Sequence, residues 1–206
     1  MGSPENIGNV LFCSSLLEKK TYKMYYELSQ KVIHPIVRPL LVSIAQDSSK
    51  HSIMFKEISK ELITTPPKEK QCKKSLGEIW NHIVELTKFV KTKKTFSSKD
   101  LLEIIEKLAF IEYHFGEEYT ILEKVKTLKY MSQEISKAHG INLDVLFHSR
   151  KHLFDSIIED EQKHYRTLFE IIDFLTKKEP EKDIHPKFKY QIPDAWTFPP
   201  PQKVTT

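Results

Sequence analysis

Apolar residues recur at intervals of three and four along four long stretches of this chain, and no feature of the sequence constrains the fold more. That period belongs to a helix with one buried stripe. The spacing predicts helices over residues 10–32, 37–63, about 100–125 and 143–177. Their ends are marked by His34-Pro35, Thr64-Thr65-Pro66-Pro67, the capping run Ser97-Ser98-Lys99-Asp100, and Glu179-Pro180. Only five of 206 residues are Gly, and most of the eleven Pro lie in two short stretches and the tail. Sandwiches, barrels and Gly-loop nucleotide folds need many tight turns and are excluded on that ground. The fold class is all-α.

Connectivity narrows it further. The first two helices join through a few residues and must be antiparallel. The second and third are separated by residues 64–100, which hold a shorter helix over 75–91 with Leu76, Ile79, Trp80, Ile83, Leu86 and Val90 on one face. A tight pair, a long crossover and a second pair is the connectivity of a ferritin-like four-helix bundle. Residues 1–178 read as that bundle. Residues 179–206, rich in Pro and ending near Pro193-Asp194-Ala195-Trp196-Thr197-Phe198-Pro199, read as an extended or disordered tail.

Each buried stripe carries polar residues at mid-span. The third long helix reads Leu101, Ile105, Leu108, Glu112, Phe115, Tyr119, Leu122, and the fourth Phe154, Ile157, Glu161, His164, Leu168, Ile171, Leu175. The second reads Ile44, Ser48, His51, Phe55, and the first Leu11, Ser15, Glu18, Tyr22, Tyr25. Burying an unpaired carboxylate costs several kcal/mol or forces a shifted pKa, so such groups at matched depth need a common partner. Glu161 and His164 lie one helical turn apart on one face, as first-row metal ligands require. With Glu18, His51 and Glu112 they favour a metal site over an ion-pair network.

The segments Ile158-Glu159-Asp160-Glu161-Gln162-Lys163-His164 and Asp47-Ser48-Ser49-Lys50-His51 resemble the fourth-helix and second-helix segments of rubrerythrin-like proteins. Leu17-Glu18-Lys19-Lys20-Thr21-Tyr22 is similar to their first helix, and Glu112 to Tyr119 repeats the spacing from Glu18 to Tyr25. The resemblance spans about residues 10–177. It implies Glu18 and Glu112 as terminal carboxylates, His51 and His164 as one imidazole per metal, and Glu161 as the bridge. The metals would be two iron ions, with manganese or zinc as alternatives. Such centres deliver two electrons to peroxide or dioxygen, the partners expected here.

Two departures from the family qualify that expectation. Ser48 stands where a second bridging carboxylate belongs, three residues before His51. Either Asp47 substitutes, or one bridge suffices and one metal is held weakly, or the site has decayed. No Cys-x-x-Cys pair follows the bundle, so the electron donor would be another molecule. Glu161 and Tyr22 are the candidates for catalysis. For Tyr22, Tyr25 and Tyr119, core filling with a hydroxyl bonded to a carboxylate outweighs a redox role. Glu118 is left open and Glu117 assigned to the surface. Ferroxidation is a rival activity, and a non-catalytic interaction protein with a degenerate site is a rival class. A homodimer is implied by the resemblance alone.

The remaining features limit other functions. Net charge is +4, carried by Lys, which reads as a solvated surface rather than a nucleic-acid footprint. Cys13 and Cys72 read as isolated thiols, neither a disulfide framework nor a thiolate zinc site. Without a signal-peptide pattern, a myristoylation motif or a membrane-length apolar run, the expected location is cytoplasmic.

Overall fold

A computed structural model describes residues 4–123, 132–133, 135–137, 140 and 142–176. Among the described residues five long helices have defined bounds: α1 (Pro4–Lys31), α2 (Val37–Lys60), α3 (Glu69–Thr92), α4 (Ser98–Glu123) and α5 (Leu143–Thr176). No strand occurs among the described residues, as expected for an all-α chain. No described helix is long and apolar enough to cross a membrane. The expected tail at 179–206 and the side chains of Glu117 and Glu118 lie outside the described residues.

The termini follow local chemistry. Pro4 opens α1, where a residue without an N–H costs nothing. At the α1–α2 joint, the ring Nδ1 of His34 accepts the backbone N–H groups of Ile36 and Val37 at 3.2 and 3.4 Å. Ser97 and Asp100 form a reciprocal cap at the start of α4: Ser97 Oγ accepts the Asp100 N–H, and Asp100 Oδ2 accepts the Ser97 N–H, both at 3.1 Å. Asn142 Oδ1 accepts the N–H groups of Asp144 and Val145 to start α5.

α1 packs most extensively on α2 and α4 on α5. The buried stripes predicted from spacing form one core, including Leu11, Leu17, Leu28, Leu41, Ile44, Phe55, Ile105, Leu108, Phe115, Phe154, Ile157 and Leu168. Gly8 permits the close approach of α1 to the end of α2. A Cβ there would fall 2.6 Å from Ile63 Cγ2 and 2.8 Å from Leu62 Cβ. Farther along, Ser52 Oγ donates to the Ser15 carbonyl at 2.8 Å, which fixes the antiparallel register of the pair.

α3 is longer than the stripe at 75–91 predicts. Its first two turns are polar apart from Cys72, so they present no apolar period. Gly77, at φ 55°, then kinks the helix in a conformation that only glycine adopts without strain. Trp80 and Ile83 are buried against the bundle, and Lys20 of α1 lies over the Trp80 ring at 4.9 Å and pairs with Glu69 at 2.9 Å.

The expectation that Cys13 and Cys72 are separate thiols is corrected: they form a disulfide joining α1 to α3. Short-range spacing rules do not see two cysteines 59 residues apart that meet only when the crossover helix docks. Closing a loop of that length is worth about 4 kcal/mol of restricted unfolded-chain entropy. Thiol reduction is therefore expected to lower the melting temperature by about 10 °C, with the double variant C13A/C72A matching the reduced protein. An unchanged melting temperature on reduction would show that α3 needs no staple.

Candidate metal centre

The polar interruptions of the four long helices meet at one level of the core. Glu18 (α1), His51 (α2), Glu112 (α4), and Glu161 and His164 (α5) are each no more than 2% exposed. They fall into two groups, Glu18–His51–Glu161 and Glu112–Glu161–His164, in each of which the donor atoms lie within 4.8 Å of one another. Glu161 belongs to both. The two imidazole rings are 6.2 Å apart between centroids.

An internal repeat relates α1–α2 to α4–α5, and its partners cross the bundle. Tyr25, seven residues beyond Glu18, donates its hydroxyl to Oε1 of Glu112 at 2.5 Å. Tyr119, seven residues beyond Glu112, donates to Oε1 of Glu18 at 2.5 Å. Each tyrosine thus fixes the carboxylate of the other repeat, and at Glu112 the second oxygen is left to His164. Burial holds the Tyr25 hydroxyl well above the usual phenol range, helped by the neighbouring Glu112, so it stays a proton donor to that carboxylate.

The imidazoles are oriented in the same crossed fashion. His51 turns Nδ1 inward, 2.9 Å from Glu161 Oε1 and 3.9 Å from Glu18 Oε1, and turns Nε2 outward to Asp160 at 3.1 Å. His164 places Nδ1 3.2 Å from Glu112 Oε2 and 3.6 Å from Glu161 Oε2, with Nε2 3.1 Å from Asp47. Lys50 Nζ spans the two outer carboxylates, 3.2 Å from Asp47 and 2.5 Å from Asp160. A carboxylate on the outer ring nitrogen fixes tautomer and ring plane and raises the basicity of the inner nitrogen.

Asp47 is therefore placed on the outer nitrogen of His164, away from the inner carboxylates to which a substitute ligand would belong. Asp160 and Lys50 had no role assigned from the sequence. The legible signal for Asp160 was an acid four residues before His164, matching Asp47 before His51. Tyr22 is half-buried and packs its ring on that of exposed Tyr26 at 6.0 Å. Ser48 is 1% exposed, at the position equivalent to Glu161 in the repeat.

Without a cation the cluster must balance itself with protons. Burial, reinforced by the charge of Glu161, pushes the Glu18 carboxyl up to about 8 and that of Glu112 up to about 7. Burial opposes charge on the imidazoles, but the surrounding carboxylates outweigh it, Asp160 foremost for His51 and Asp47 foremost for His164. They hold the rings at about 10 and about 12. Glu161 is driven the other way: burial alone would raise it, yet the two imidazoliums beside it hold it well below the usual carboxylate range.

That balance leaves polar atoms stranded. Glu18 Oε2, His51 Nδ1 and both oxygens of Glu161 are buried and make no hydrogen bond, despite the short His51–Glu161 approach. A buried acceptor without a partner costs about 1–3 kcal/mol. Four such atoms converging from three helices are what a cation would satisfy. Carboxylate and imidazole donors suit iron, manganese or zinc.

Asp47→Asn and Asp160→Asn are each expected to weaken metal binding by about 10–100-fold while leaving the ligands in place. Equilibrium dialysis against cobalt(II) measures this, and wild-type affinity in both variants would show that the outer carboxylates do not support the rings. No known protein family, curated protein or solved structure matches this chain.

Proposed function

We propose that this chain is a ferritin-like, rubrerythrin-like di-iron carboxylate protein whose reaction is redox chemistry on peroxide or dioxygen. One observation carries the reading: a single buried carboxylate, Glu161, is shared by two carboxylate–imidazole groups, and neither of its oxygens is satisfied by a hydrogen bond. Glu18 with His51 would hold one ion, Glu112 with His164 the other, and Glu161 would join them. Two ferrous ions so held would supply two electrons to peroxide or dioxygen.

The protein's own part is to hold, orient and exclude water. Tyr25 and Tyr119 fix the terminal carboxylates, Asp47 and Asp160 fix the rings, and the apolar core on either side keeps the local dielectric low. The electron donor would be a separate molecule, and a homodimer is part of the same proposal. So is a cytoplasmic location, where the Cys13–Cys72 bond would be reduced and the two buried thiols would pack as small apolar groups.

The test is metal stoichiometry on protein purified without a metal-affinity tag and reloaded anaerobically with ferrous iron. Two irons per chain that oxidise together when peroxide is added, with the absorbance of a coupled ferric pair, are the expected result. Oxidation by dioxygen with release of iron would point instead to ferroxidation. No bound iron would leave the bundle as a scaffold and overturn the reading.

A further inference from the structure

Glu161 ties the two donor groups together from the inside, and one lysine ties them together from the outside. Asp160 lies 3.1 Å from Nε2 of His51, and Asp47 lies 3.1 Å from Nε2 of His164. Lys50 Nζ donates to both aspartates, at 2.5 Å to Asp160 Oδ2 and 3.2 Å to Asp47 Oδ1. A single cation therefore touches the outer carboxylate of each half of the centre. The aspartate side chains are only 19% and 21% exposed, so water screens them poorly, whereas Lys50 is 45% exposed and reaches them from the surface.

The internal repeat makes the arrangement lopsided. Aligning α2 with α5 matches Asp47 to Asp160, His51 to His164 and Lys50 to Lys163. Only one of the two lysines is engaged. Lys163 is exposed and forms no ion pair among the described residues.

Charge balance gives the bridging lysine a purpose. Two divalent ions bring four positive charges. Glu18, Glu112 and Glu161 bring three negative ones and the outer aspartates two more, the imidazoles being neutral as ligands. Lys50 supplies the fifth positive charge, and the reduced centre with its outer carboxylates is neutral. Without Lys50 that centre would carry one net negative charge. Such a charge favours the oxidised pair, because taking one electron from each ion adds two positive charges. In the reaction proposed above, those two electrons, with two protons, convert peroxide to two waters.

We propose that Lys50 is a positioning residue for the metal pair: by bridging Asp47 and Asp160 it fixes the supports of both rings and balances the reduced state, which raises the reduction potential of the pair. It acts through the two aspartates on both halves of the centre at once. The inference rests on the metal-site reading above.

A mediated redox titration of the full chain loaded with two irons tests it, followed by the visible absorbance of the ferric form. At the potential where the wild type is half oxidised, K50Q keeps a hydrogen-bond donor without the charge and is expected to stand at about ten oxidised pairs to one reduced. K50M is expected to match it, and K50R, which keeps the charge, to follow the wild type. K163Q removes the same charge from the matching exposed position on α5 and is expected to leave the balance unchanged. Elemental analysis is expected to find two irons per chain in all four variants, with circular dichroism as the folding control. A wild type that holds no iron would overturn the metal reading and this inference together. Two irons per chain with K50Q and K50M titrating like the wild type would overturn this inference alone. So would a shift in K163Q or K50R as large as that in K50Q, since the bridge and its charge would then not be what sets the potential.

Discussion

Glu161→Ala is expected to abolish metal binding in both halves of the centre, whereas His51→Ala or Glu112→Ala is expected to remove one ion of the two. The reason is geometric. Glu161 places Oε1 2.9 Å from the inner nitrogen of His51 and Oε2 3.6 Å from that of His164, so it is common to both donor groups. The other ligands each serve one. Without metal, Glu161 also provides the negative charge between two imidazoliums, so its loss lowers both rings, although Asp160 and Asp47 still hold them above the ordinary histidine range. The helices should survive, because the apolar stripes above and below the centre are untouched. Metal stoichiometry by elemental analysis, with circular dichroism as the folding control, decides the matter. Two ions retained in Glu161→Ala would refute the shared-ligand arrangement.

Metal-free and metal-loaded protein are expected to respond to pH in opposite senses near neutrality. Glu18 and Glu112 have folded-state values raised from 4.5 to about 8 and about 7. A raised value contributes stability that is fully present below the unfolded value and is lost as pH rises through the folded one. The imidazoles, raised from 6.5 to about 10 and about 12, act in the same direction over a higher range. Glu161, Asp160 and Asp47 are lowered and act oppositely, their contribution disappearing as pH falls below the ordinary carboxylate range.

The metal-free protein should therefore lose stability steadily as pH rises from about 5 to about 8, while metal affinity climbs as protons leave the ligands. The gap in melting temperature between loaded and metal-free protein should widen with pH, and calorimetry in buffers of different ionisation enthalpy should record at least two protons released per pair of metals near pH 7. A metal-free protein that grows more stable across that range would mean the buried glutamates are not the groups carrying raised values.

The chain itself determined the four amphipathic helices, and with them the all-α class, because a buried stripe needs only local spacing to be read. It also determined that Glu18, His51, Glu112, Glu161 and His164 interrupt those stripes, since polarity at a buried register position is a property of one helix at a time. Even the crossed pairings left a trace, in the matched spacings of Tyr25 to Glu18, Tyr119 to Glu112, Asp47 to His51 and Asp160 to His164.

Only the tertiary structure decided which helix each of these residues serves. Tyr25 bonds to the carboxylate of α4 rather than its own, and Asp47 supports the ring of α5, because residues two turns or four positions apart on one helix reach across the core sooner than back along it. The same holds for Cys13 and Cys72, which meet because α3 docks on α1. The first two turns of α3 were invisible for the converse reason: they are polar, kinked at Gly77, and held in place by a neighbour rather than by a stripe of their own. Periodicity along a chain records which side of a helix is buried, and the identity of what faces that side is fixed only when the helices pack.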